Sequence, residues 1–374
     1  MRALVVMSYA PELEGGAAAR CAVGLLQGLQ AHGVDCEALV GAQSARSAEV
    51  PRDLSVEIVQ MPESSRMRAR ADRLLSPGAA FTRAPLAERL HAIAAEVDVV
   101  HLFDTSAASA VRLVERPTAV QLHYWTTRDQ DSVWPLSKAG RSALELLRLE
   151  RRAVKRASWL LANSAEVAEP LAKLAPHADV TLAPLGLDPS HYGEPAALEQ
   201  PVAGLIGSAT WAPTANAVRR LLTHVWPLVR ERMPEARLLL AGRQMERARF
   251  PELPDVPGVQ WRGAVPSASC FLRELGVLLY PLASGSGTKV KVLESLALGV
   301  PVVTTPDGAE GLRSRAGVEV DTDDGRIAAV VVELLTDLHS RRAAGAAARA
   351  NFMENHTPRA AAEPVVRLYE RMLA

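Results

Sequence analysis

The feature that most limits what this chain can become is a repeated alternation of short apolar runs with stretches of helical periodicity. The first run, ALVVM at 3–7, carries no polar residue on either face, as a strand covered on both sides of a parallel sheet requires. Ala17–His32 then reads as a helix closed by Gly33. Strand-like runs follow at 34–40, 56–60, 98–103, 118–122, 159–163 and 180–184, with helical segments between them, notably Ala84–Glu96 and Lys138–Arg156. Strands alternating with helices of this length predict a doubly wound α/β domain. After Gly186 comes LDPSHYGEPAALEQP, whose Pro, Gly and polar residues read as a linker. A second series begins at VAGLIGS (202–208) and continues through ARLLLAG (236–242), VQWRG (259–263), GVLLYPL (276–282) and VPVVTT (300–305). Helices are expected over Thr214–Arg232, Ser267–Glu274 and Thr288–Leu298, and almost everything after Thr322 is helical in pattern. The expectation is therefore an α/β protein of two Rossmann-like domains, 1–186 and 202–355, joined by a linker at 187–201 and followed by a helix at 356–374.

Charge narrows the function classes. The 42 basic residues are balanced by 42 acidic ones, which argues against bulk nucleic-acid binding while leaving room for a local anion site. Cys21, Cys36 and Cys270 show neither pairing nor metal-type spacing and read as reduced thiols of a cytoplasmic protein. No stretch approaches the ~20 apolar residues of a membrane span, and the N-terminal run is too short for a signal peptide.

The stretch PLASGSGTKVKVLESLALGVPVVTT (281–305) carries two of the chain's five lysines, Lys289 and Lys291, in a protein that otherwise uses arginine. In an open α/β sheet, ligands bind beyond the carboxyl ends of the strands, where loops enter helices. GVLLYPL is such a strand and Ala283–Gly287 such a loop. Gly285 and Gly287 permit positive φ and close backbone approach. The helix expected from Thr288 points its N–H groups and its positive dipole end at the same place. Glu294 follows Lys291 at helical spacing, where it can pair with the lysine or accept hydrogen bonds from sugar hydroxyls. Together these describe a phosphate or diphosphate site. It is not a P-loop, because Thr288 separates Gly287 from Lys289. A flexible turn with solvated lysines is the competing reading.

The run from the glycine loop through TKVKVLES to LGVPVVTT and GAEGL (308–312) resembles the donor-binding segment of glycosyltransferase family 4, whose members have the GT-B fold, use sugar nucleotides and retain anomeric configuration. The resemblance extends to the Gly15-Gly16 loop, the strand-end His123, the segment 163–188 and the segment 206–243. It implies two Rossmann-like domains facing across a cleft, an acceptor-binding one first and a nucleotide-sugar-binding one second. The last helix would pack back on the first domain.

Carried over residue by residue, the resemblance makes Glu294 an acceptor for the ribose hydroxyls. The family's other glutamate would stand where this chain has Ser286, which leaves the usual carboxylate contact to the donor sugar open. Lys289 and Lys291 would compensate the diphosphate, helped by the backbone of Gly287 and Thr288, with Arg243 a second phosphate candidate. The WAPTAN segment, with Thr214 and Asn216, lacks the family's usual basic pair nearby, so neutralisation rests more on the lysines. His123 would contact the transferred sugar or the β-phosphate, and Gly15 and Gly16 would bring amides near the phosphates. Gly308, Glu310 and Gly311 would close over the sugar. His101 and Asp104 are weaker candidates on the acceptor side, and Trp125 and Trp134 could stack on an acceptor or fill core.

The implied activity is metal-independent transfer from a nucleoside-diphosphate sugar, as donor substrate with no tightly bound cofactor, to a sugar, lipid-linked or small-molecule acceptor. An epimerase or phosphorylase on the same fold, or an inactive sugar-nucleotide-binding protein, are the alternatives. Arg66, Arg68, Arg70, Arg73 and Arg83 in the segment 64–83 fit peripheral contact with an anionic membrane, although a solvated face is the commoner fate of such a run.

Overall fold

The computed structural model describes residues 1–42, 49–60, 85–129 and 138–374. The basic segment at 64–83 and Trp134 lie outside the described residues. The chain forms two compact units, Met1–Asp188 with Thr357–Ala374, and Pro189–His356.

The first unit is built on strands β1 (Arg2–Met7), β2 (Asp35–Ala42), β3 (Ser55–Gln60), β4 (Val99–Leu102), β5 (Thr118–Leu122), β6 (Trp159–Ala162) and β7 (Asp179–Leu182). All pair in parallel in the order β3-β2-β1-β4-β5-β6-β7. The strand order reverses between β1 and β4, so the loops after these two strands flank the crevice where such a sheet takes ligands. The apolar runs are strands because both faces are covered: five of the six β1 residues are buried. Helices α1 (Ala17–Ala31), α2 (Leu86–Ala94), α3 (Lys138–Val154) and α4 (Ala165–Leu174) connect them. Gly33, at φ +76°, ends α1. Its N–H reaches Gln30 O at 2.9 Å and that of Val34 reaches Leu29 O at 3.0 Å, the paired bonds of a Schellman motif.

The second unit has β8 (Val202–Ile206), β9 (Arg237–Ala241), β10 (Val259–Gly263), β11 (Val277–Tyr280), β12 (Val302–Thr304) and β13 (Val318–Val320). They too are all parallel, ordered β10-β9-β8-β11-β12-β13, with the reversal between β8 and β11. Its helices are α5 (Ala212–Arg220), α6 (Trp226–Arg232), α7 (Ala268–Arg273), α8 (Val290–Ala297), α9 (Asp324–Thr336) and α10 (Leu338–Asn355). A wider turn at Leu221–Val225 joins α5 to α6. Among the described residues no helix is long and apolar enough to cross a membrane.

The segment whose composition reads as a linker is fastened to the second unit along its length. Arg273 donates to the carbonyls of Tyr192 and Glu194, Arg349 to that of Gly193 and Arg341 to that of Leu198. Ala196 N–H bonds Leu298 O at 2.7 Å. An irregular backbone still needs partners for its polar groups, and here arginine side chains supply many of them.

The last helix, α11 (Pro358–Leu373), belongs to the first unit. Thr357 caps it, Pro358 opens it, and Val365, Leu368 and Tyr369 face inward, whereas Val366 and Met372 are only half-buried. It lies so close to α1 that a Cβ at Gly28 would sit 2.2 Å from Pro358 O and 2.6 Å from Ala362 Cβ. In an open helix Gly28→Ala would add about 1 kcal/mol of stability. Here overpacking is expected to dominate and lower it by about 1–3 kcal/mol in urea denaturation; a stabilised variant would refute the tight seam.

Candidate functional site

In the second unit, β11 runs into a loop bent by Gly285 at φ +110° and Gly287 at φ +75°, as glycine at these positions led one to expect. The helix then begins at Val290 with Lys289 at the N-cap, two residues later than the sequence suggests. This offset gives the two lysines different surroundings. Lys289 lies in extended backbone and folds inward. Its ammonium donates to the carbonyls of Gly285 and Gly287 and lies 3.7 Å from Glu310 Oε2, in a pair with side chains only 3% and 1% exposed. Glu310 Oε1 in turn accepts the Gly287 N–H at 2.6 Å. Lys289, Gly287 and Glu310 thus form an internal clasp between the loops after β11 and β12. Ser286 and Thr288 are buried in the same loop.

Lys291, in the first turn of α8, is half-buried and points to the reversal between β8 and β11. Its Nζ lies 3.1 Å from Tyr280 OH and 3.3 Å from Thr214 Oγ1, and 4.5 and 5.6 Å from the ring centres of Tyr280 and Trp211. A Cβ on Gly207, at the end of β8, would be 2.7 Å from that nitrogen. Every one of these partners is neutral: among the described residues no carboxylate lies within ion-pair distance of Lys291.

The other residues singled out in this unit are placed around the same edge. Glu294 is buried on α8 and accepts a hydrogen bond from Tyr192 OH at 3.2 Å. Arg243, just past β9, has an exposed side chain, while its carbonyl accepts the Ala209 N–H from the loop after β8. Gly308 is required by space, since a Cβ there would overlap Thr304 Oγ1 at 1.9 Å, and Gly311 by its φ of +80°.

In the first unit, the double glycine follows β1. A Cβ on Gly15 would press Ala19 Cβ at 2.8 Å, whereas Gly16, the N-cap of α1, has open space. Asp104, after β4, spends its carboxylate on the N–H groups of Ser8, Ser106 and Ala107 at 2.7–2.9 Å, tying the loops after β1 and β4 together. His123, past β5, sits edge-on to Phe103 with centroids 4.7 Å apart, and its Nε2 is 2.8 Å from Phe103 O. A carbonyl oxygen only accepts, so Nε2 carries the hydrogen, and in the neutral ring the lone pair is on Nδ1. Burial pushes the His123 pKa down, with Asp104 opposing. Asn163 holds the His123 carbonyl at 2.9 Å. His101 is fully buried against Tyr369 OH at 2.7 Å, and burial pushes it down to about 3, so it remains neutral. The buried Glu150 accepts both the N–H and the hydroxyl of Thr126, and burial pushes its carboxyl up to about 7.

The sequence reading passed over Tyr280, Gly207 and Tyr192. Tyr280 offered the one available signal, a hydroxyl-bearing residue at the carboxyl end of an apolar strand. Cys21 and Cys36 are buried free thiols and Cys270 is an exposed one. Among the described residues no three His, Cys, Asp or Glu side chains are grouped to hold a metal ion.

Two family models match the chain: Glycosyltransferase Family 4 over residues 15–191, and Glycosyl transferases group 1 over residues 200–337. No curated protein matches it in sequence. Among solved structures the fold is similar to those of GT-B glycosyltransferases. HepE from Anabaena, in complex with UDP and glucose, shares 15% identity over 98% of this chain and 99% of its own, with a TM-score of 0.65. The sucrose-phosphate synthase of Thermosynechococcus elongatus gives 14%, 100%, 99% and 0.75 for the same four quantities. A TarM variant from S. aureus, in complex with fondaparinux, α-GlcNAc-glycerol and UDP, gives 8%, 99%, 100% and 0.71. At such identities the likeness carries the fold alone.

Two buried acids make measurable demands. Glu310→Gln leaves the Lys289 charge buried without its counterion and is expected to cost about 3 kcal/mol in urea denaturation, most of it recovered in Lys289→Met/Glu310→Leu. Equal stability of Glu310→Gln and wild type would remove the clasp. A carboxyl raised by folding stabilises the fold in its protonated form, fully below the ordinary value of 4.5 and no longer once pH passes about 7. Glu150→Gln is therefore expected to flatten the loss of stability across that window, read from melting temperatures against pH; an unchanged slope would rule Glu150 out as its source.

Proposed function

This chain belongs to the group 1 glycosyltransferases, with a family 4 domain in its first half, and we propose that it moves a sugar from a nucleoside-diphosphate sugar to an acceptor hydroxyl with retention of configuration. The observation that carries the proposal is the ammonium of Lys291: half-buried, at the reversal of the sheet, and surrounded by neutral groups only. A cation so placed keeps its full charge for an anionic ligand, and the N-terminus of α8 adds to it. Lys289 contributes differently: with its charge matched by Glu310, it holds the glycine loop in shape rather than meeting the phosphates.

On this reading the donor's diphosphate lies against Lys291, with Arg243 as a further contact. The ribose hydroxyls donate to Glu294, whose carboxylate Tyr192 orients. As the bond from the anomeric carbon to the diphosphate oxygen breaks, negative charge builds on the diphosphate and Lys291 stabilises it. The acceptor oxygen bonds to the anomeric carbon from the same face, and its proton passes to a leaving diphosphate oxygen. Fixed protein charge at that oxygen is why we propose that the reaction proceeds without a metal. His123, with Nδ1 as an acceptor, suits a hydroxyl of the transferred sugar better than a phosphate oxygen. UDP is the first nucleotide to try, because HepE and TarM were both solved with it.

The test is a thermal-shift panel of UDP, GDP, ADP, dTDP and CMP on wild type, Lys291→Ala and Glu294→Ala. Stabilisation by one nucleoside diphosphate, reduced but measurable in both variants, is expected; a wild-type chain that none of them shifts would sink the reading. Incubation with the matching nucleotide sugar should then release the diphosphate at an EDTA-independent rate and give a product of unchanged anomeric configuration by NMR. An inverted product would overturn the retaining assignment alone.

A further inference from the structure

A lysine side chain has four rotatable bonds, and an ammonium used to hold a leaving group gains from having that freedom removed beforehand. We propose that Tyr280 and Thr214 are positioning residues that fix the Lys291 ammonium, so that two buried hydroxyls govern donor binding without touching the donor. The inference rests on Lys291 being the diphosphate contact.

The geometry is a closed triangle. Lys291 Nζ, Tyr280 OH and Thr214 Oγ1 are separated by 3.1, 3.3 and 3.0 Å. Both hydroxyl residues are fully buried, and they come from separate elements: Tyr280 ends β11 and Thr214 lies in the first turn of α5. The Tyr280 backbone is itself held, its carbonyl accepting Thr304 Oγ1 at 2.6 Å. The absence of a side chain at Gly207 makes room for the ammonium, since a Cβ there would stand 2.7 Å from it. The rings of Tyr280 and Trp211 supply two further attractive surfaces. Trp211 is in turn fixed against the donor loop, where a Cβ on Gly285 would meet it at 2.9 Å.

Donor counting shows why hydroxyls serve here and a carboxylate would not. The ammonium has three N–H groups and no acceptor. Two are spent on the hydroxyl oxygens, and one is left. A carboxylate would have held the nitrogen as firmly but cancelled its charge; neutral acceptors hold it and leave the charge for the ligand. A buried tyrosine that merely needed a hydrogen-bond partner would be satisfied by Thr214 alone.

Titration calorimetry with UDP, GDP, ADP and dTDP on wild type, Tyr280→Phe, Thr214→Val, Lys291→Ala and Tyr280→Phe/Lys291→Ala decides the matter. Phenylalanine keeps the ring and removes only the hydroxyl. It is expected to weaken the diphosphate that binds by about tenfold in the wild-type background, and by less than about twofold once Lys291 is gone. Equal losses in both backgrounds would mean that Tyr280 acts on the fold and not through Lys291, which overturns the inference. So would an unaffected Tyr280→Phe beside a weakened Lys291→Ala, a result that leaves the donor reading standing. Should Lys291→Ala bind like wild type, or no diphosphate bind at all, both readings fall. If Tyr280→Phe does not fold, Thr214→Val, nearly isosteric, carries the same comparison against its own double variant with Lys291→Ala.

Discussion

The second unit depends on the direct pairing of β11 with β8. These strands lie apart in sequence but run side by side in parallel, with Val277 opposite Ala203 and Leu278 opposite Gly204. Gly204 makes the approach of neighbouring residues possible, since a Cβ there would lie 2.4 Å from Leu275. Because strand side chains alternate faces, a one-residue slip would turn Tyr280 to the opposite side of the sheet. The ammonium of Lys291 would then lose its principal acceptor. The register of two apolar strands therefore sets the position of a charge on the helix that follows one of them.

Lys289 and Lys291 are two residues apart and chemically identical, yet their charges are treated in opposite ways. The difference begins in the backbone. Lys289 precedes the helix in extended conformation, while Lys291 is inside the first turn, so the side chains leave in different directions. The first direction leads into the protein, where only a paired charge is tolerated, and Glu310 provides the pairing. The second leads to the open end of the sheet, where hydroxyls and aromatic faces hold the nitrogen without neutralising it. A lone lysine substitution here thus tests either folding or the proposed ligand contact, depending on which of the two is chosen.

Much of this was legible in the sequence, and the boundary between what was and what was not is physical. Unbroken apolar runs become strands because both sheet faces are covered, and every run named from the sequence is a strand. β13 escaped because Glu319 interrupts Val318–Val320, which leaves no apolar run to read. Gly285 and Gly287 were readable because their conformational role belongs to the residue type. The partners of the lysines were not, because Glu310, Tyr280 and Thr214 reach them from other loops and strands, and a tyrosine ending an apolar run looks like core. Composition also reports irregular backbone rather than motion: the Pro- and Gly-containing segment after Gly186 is anchored by Arg273, Arg341 and Arg349, none of which lies near it in sequence.

The two units treat charge differently at their corresponding sheet reversals. In the first, Asp104 is consumed by three backbone N–H groups, and burial pushes the pKa values of His101 and His123 down. Burial also pushes the Glu150 carboxyl up, to about 7. In the second, one cation is held among neutral groups with its charge intact. Neutral acceptors and donors discriminate among hydroxyls, whereas a desolvated cation favours an anion over any neutral group. A sugar hydroxyl set against Lys291 would leave the cation uncompensated. On the proposed reading, the uncompensated ammonium of Lys291 suits the diphosphate, and the acceptor nitrogen of His123 suits a hydroxyl.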